Sequence, residues 1–106
     1  MQTTTTNRSK PQIITVTCEL GTFTRKTART YKYVLLVQSA LGNADWQVRN
    51  WCGRLDLAWA AYDDFKRNYV ANEYYRTNYP ANAIAIVNVT TGEVVQKYDT
   101  ANWFTT

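Results

Sequence analysis

Apolar and polar positions change period several times along the chain, and each change predicts an element. Ile14, Val16, Cys18 and Leu20 alternate with Thr15, Thr17 and Glu19, the two-residue period of a strand with one buried and one wet face. Gly21 opens a connection that runs to Thr30. Tyr31 to Gln38 follows as a second strand, and both of its faces are largely apolar, which predicts a central place in a sheet. These two strands are expected to pair as an antiparallel hairpin with a long connection.

From Val48 the period becomes helical. Val48, Trp51, Cys52, Leu55, Ala58, Trp59, Tyr62, Phe65 and Tyr69 recur at steps of three and four, one stripe of an α-helix. Asn43 is the expected N-cap and Asp45 suits the positive helix end, so the predicted helix covers 44–69. Asp45/Arg49 and Asp63/Arg67 are acid-before-base pairs at a spacing that supports a helix. Gly53 is a defect costing about 1 kcal/mol relative to Ala. Beyond Tyr69 the pattern loosens. The helix is expected to break within 70–78, and Pro80 to stop it. Ala83 to Val89 reads as a third strand, Thr90 to Glu93 as a turn built on Gly92, and Val94 to Tyr98 as a fourth strand. Trp103 and Phe104 make the tail too apolar for a loose end, so it is expected to fold back.

The order β-β-α-β-β predicts an α+β fold in two layers, with a mainly antiparallel four-stranded sheet packed on one central helix. At 106 residues the chain is expected to form a single domain over 11–106, after a polar, threonine-rich and disordered tail over 1–10. No apolar run approaches the ~20 residues of a membrane helix, and the start lacks the apolar stretch of a signal peptide. The expected location is therefore cytoplasmic, without membrane contact. Cys18 and Cys52 fall on apolar faces and are expected to be reduced, structural thiols.

The chain has no histidine, which removes the usual general base and the imidazole metal ligand. The two cysteines form no Cys-x-x-Cys pair, and the four glycines form no phosphate loop. No cofactor or metal is expected. Asp63 and Asp64 are adjacent, so on a helix they point about 100° apart; Asp56 and Glu73 are the other carboxylates of that region. A solvated helix face with ion pairs is preferred to a hydrolase, and no enzyme activity is expected. Asn88-Val89-Thr90 matches a glycosylation sequon, read here as a chance match at a strand end.

Charge is distributed unevenly. Residues 1–44 carry six lysines and arginines against Glu19 alone, net +5, whereas 45–106 carry six against seven acids, net −1. The dense part, Thr22 to Lys32, holds Arg25, Lys26, Arg29 and Lys32 among threonines, Phe23 and Tyr31, with no acid. Cations and hydroxyls meet phosphate oxygens, and aromatic rings stack on bases. The expected function is a small binding module that contacts nucleic acid through this basic hairpin, using Arg25, Lys26, Arg29, Tyr31 and Lys32. The alternative is a protein–protein interaction module, such as a phage- or plasmid-encoded inhibitor of a host nucleic-acid-handling or defence complex. Its contacts would be Tyr74, Tyr75, Tyr79, Trp103 and Phe104, since aromatics anchor interfaces.

Overall fold

The computed structural model describes residues 10–104. The tail expected over 1–10 lies outside this range except for Lys10. The described chain forms β1 (Gln12–Cys18), β2 (Gly21–Thr27), β3 (Tyr33–Ser39), β4 (Trp46–Cys52), α1 (Leu55–Ala71), α2 (Glu73–Asn78), β5 (Ala81–Asn88) and β6 (Val94–Asp99), then a 3-10 turn over Thr100–Trp103. The fold is mixed α+β, as the pattern predicts, with an antiparallel four-stranded sheet in the order β4-β3-β5-β6 and a separate two-stranded ribbon, β1-β2. No helix among the described residues is long and apolar enough to cross a membrane.

The sheet is buried on both faces at its centre. On the helix side, Leu35, Ile84 and Ile86 meet Ala58, Tyr62, Phe65 and Tyr69 of α1. On the other side, Val34, Leu36 and Val87 meet Val16 of the ribbon. Leu35, Leu36, Ile84 and Ile86 have almost no exposed surface, and each contributes about 1.5–3 kcal/mol by leaving water. The half of the helical stripe beyond Leu55 is thus read correctly, as is the central place of β3. Trp103 folds back against Tyr62, Phe65 and Tyr69, the expected course of the tail. Cys18 and Cys52 belong to clusters on opposite sides of the sheet, and both are free thiols.

Three sequence expectations need correction. First, the helix begins at Leu55, not near Ala44, because 46–52 is an edge strand. A bulge explains the misreading: Val48 lies opposite Leu36 and Asn50 opposite Leu35, leaving Arg49 unmatched. The extra residue moves the ribbon-facing positions from Trp46 and Val48 to Trp51, so a period of two becomes a step of three that imitates a helix. Asn43 and Asp45 consequently cap nothing helical, and Gly53 sits at the strand-to-helix joint without helical cost. The N-cap is Arg54, which makes no side-chain capping bond. Second, the expected 21–30 connection contains β2. Glu19 and Leu20 turn the chain back, and β2 pairs with β1 from Cys18↔Gly21 to Gln12↔Thr27. Third, β1 does not pair with β3. The ribbon instead lies over the sheet face away from the helix, adding a layer.

The break expected within 70–78 falls at Asn72. Its backbone closes α1 by donating to Asn68, and its side-chain oxygen caps α2 by accepting from the Tyr75 N–H at 3.0 Å. Arg76 then clamps the joint, donating to the carbonyls of Tyr69 (3.0 Å) and Val70 (2.7 Å). Arg67 pairs with Asp64 at 2.7 Å rather than with Asp63.

Candidate nucleic-acid interface

Residue alternation on β2 divides the basic stretch between two faces. Phe23 and Arg25 share the ribbon's inner face with Val16 and Ile14, whereas Lys26 shares the outer face with Ile13, Thr15, Thr17, Thr22 and Thr24. The basic residues therefore lie away from the hairpin turn, which Glu19 and Leu20 occupy. They gather at the ribbon's open end and in the connection to β3. Lys10, just before the first ribbon pair Gln12↔Thr27, belongs to the same end.

The structure brings Arg25 and Tyr31 together. The Arg25 guanidinium stands 5.4 Å from the centre of the Tyr31 ring, a cation–π arrangement. Tyr31 in turn lies 6.1 Å from the Trp51 ring at a 50° tilt. Backbone bonds hold this group. Lys32 N–H donates to Cys52 at 2.9 Å, and Val89 N–H donates to the Lys32 carbonyl at 2.8 Å, so the segment entering β3 is fixed between β4 and β5. Arg25, Lys26, Arg29 and Lys32 are all exposed, and none enters either of the ion pairs found among the described residues. Arg29 follows a turn in which its N–H donates to the Thr27 hydroxyl at 3.0 Å. Phe23 and Trp51 are both half-buried against the ribbon side of the sheet. Trp51 was missed by sequence reasoning because it fell on the supposed helical stripe; the Trp46-Gln47-Val48-Arg49 alternation was the signal for a strand.

At the other end of β4 lies a cleft of about 470 Å³, lined among others by Leu41, Gln47, Arg49, Phe65, Tyr75, Asn78 and Tyr79. Tyr79 is 67% exposed and Leu41 59%. The Arg49 guanidinium lies 6.0 Å from the Phe65 ring centre. Of the residues expected at a protein interface, Tyr75 and Tyr79 line this cleft with rings 5.5 Å apart. Tyr74 points to solvent, at 68% exposed. Trp103 is half-buried in the helix-side core, and Phe104 lies 6.0 Å from Tyr69 under the Arg76 guanidinium.

The carboxylates do not converge. Asp56 is held below the usual carboxylate range by the hydrogen bond from Arg54, and Asp64 pairs with Arg67. Burial pushes the Tyr62 hydroxyl and the Cys52 thiol above their ordinary values. No family model matches the chain, and neither a curated protein nor a solved structure is significantly similar to it.

Proposed function

We propose that the protein is a small, non-enzymatic module that binds single-stranded nucleic acid at the open end of the β1–β2 ribbon. The observation that carries this reading is the Arg25–Tyr31–Trp51 group, set among exposed cations that form no ion pair among the described residues. Lys26, Arg29 and Lys32 are suited to phosphates, and the half-buried Tyr31 ring, backed by Trp51, is the aromatic group on which a base can stack. Base stacking needs unpaired bases, which favours a single strand over a duplex.

The test is a binding titration against single-stranded and duplex oligonucleotides at several salt concentrations. Each phosphate neutralised on a single strand adds about 0.7 to the slope of log affinity against log salt. Replacing Arg25, Lys26 and Arg29 together by Ala should flatten that slope by about two units and leave folding intact, since exposed substitutions usually cost under ~0.5 kcal/mol each. No binding to any oligonucleotide at low salt refutes the reading. A second reading, a protein interaction module, draws on the exposure of Tyr74 and Phe104. It is supported by a partner retained through the same salt series.

A further inference from the structure

We infer that the cleft between β4 and α2 is a base-binding subsite for the same single strand. This inference rests on the nucleic-acid reading above and extends it along β4. Strand β4 is an edge of the sheet, with Trp51 near one end and Gln47 near the other. At ~3.3 Å per residue, Gln47 and Trp51 are roughly 13 Å apart. That is the reach of about four nucleotides at duplex spacing.

The cleft has the chemistry for a base. Its volume of about 470 Å³ lies within the range of ordinary small-ligand sites. Tyr79 and Tyr75 supply ring faces. Gln47 supplies a side-chain amide, both donor and acceptor, which suits the edge of an unpaired base, and Asn78, whose Nδ2 donates to the Tyr74 carbonyl at 2.8 Å, adds its amide oxygen. Among the described residues Arg49 is the only charged one of the lining, so the cleft is complementary to an anion. Phe65 closes the floor at 5% exposed, with the Arg49 guanidinium above it. The bulge that leaves Arg49 without a partner on β3 gives this side chain to the helix side, where it lines the cleft above Phe65. Trp51 faces the ribbon side and Arg49 the helix side, so a strand whose phosphates follow Arg25, Lys32 and Arg49 passes over the β4 edge and enters the cleft with a base at Tyr79.

The experiment uses a thymidine dodecamer and an abasic dodecamer with the same backbone, titrated with the full chain and with the variants Tyr79→Ala and Arg49→Gln. Tyr79 is exposed, so its truncation leaves the core untouched, and circular dichroism checks both variants. Tyr79→Ala should weaken the thymidine oligomer about tenfold, as for loss of one stacked base, with the abasic affinity and the salt slope unchanged. Arg49→Gln should lower the slope by about 0.7 on both. Ultraviolet cross-links to the thymidine oligomer should fall on Tyr75 or Tyr79 as well as on Tyr31 or Trp51. Unchanged thymidine affinity in Tyr79→Ala, or an equal loss on the abasic oligomer, overturns the subsite while the basic end stands. Absence of binding by either oligomer overturns both.

Discussion

Gly92 fixes where the ribbon rests. Its φ is +77°, and a Cβ added there would run into the Thr17 carbonyl oxygen. Both the turn and the close approach of β1 require glycine at this position. Gly92→Ala should therefore cost about 1–3 kcal/mol, read as a lower urea midpoint. Tyr69 serves a different buried need. Its hydroxyl donates to the Ala81 carbonyl and accepts from the Ala81 N–H, each at 3.1 Å. Thr100 also donates to that carbonyl, at 2.6 Å, so Tyr69→Phe strands chiefly the N–H. The expected loss is about 1–3 kcal/mol, measured by the same unfolding curve. Tyr62 sets a pH dependence. Burial raises its hydroxyl above the ordinary value, so the folded state holds the proton more tightly than the unfolded chain. The resulting stability is intact below the unfolded value near pH 10 and is lost as pH rises through the raised one. Tyr62→Phe should reduce the alkaline fall in the unfolding midpoint.

Helix α1 starts without a capping side chain, because Arg54 occupies the N-cap. Its ion pair with Asp56 lies at the surface, with both side chains 69% exposed, and such pairs contribute little. Arg54→Ser should thus raise stability by roughly 0.5–1 kcal/mol through the first-turn N–H groups, seen as a higher thermal midpoint. The helix after Leu55, the Asn72 break and the β5–β6 hairpin were legible because each follows a local rule of period or punctuation. Strand β4 was not, because its bulge turned strand alternation into the spacing of a helix at Val48, Trp51 and Cys52. Strand β2 was hidden for another reason. Phe23 is the only large apolar residue in Gly21–Thr27, too little for an alternating pattern to be visible.

At the scale of the whole molecule, the one-sided pattern of β1 fits either a sheet member or a ribbon laid across a sheet. Only long-range contacts, Val16 on Val34 and Val87 and Gly92 on Thr17, decide between them. The cations of the candidate site were legible as composition. Their alignment with Tyr31 and Trp51 was not, since it depends on β4 being a strand. If the proposed nucleic-acid site is used, placing those cations at one end of β4 and the exposed tyrosine of the cleft at the other would also divide the kinetics of capture. Long-range attraction acts before contact, so the basic end would then govern the association rate and make it depend on salt. Stacking at Tyr79 would act only after contact and govern the dissociation rate. In stopped-flow measurements, replacing Arg25, Lys26 and Arg29 by Ala should therefore slow association, while Tyr79→Ala should shorten the lifetime of the complex and leave its formation unchanged.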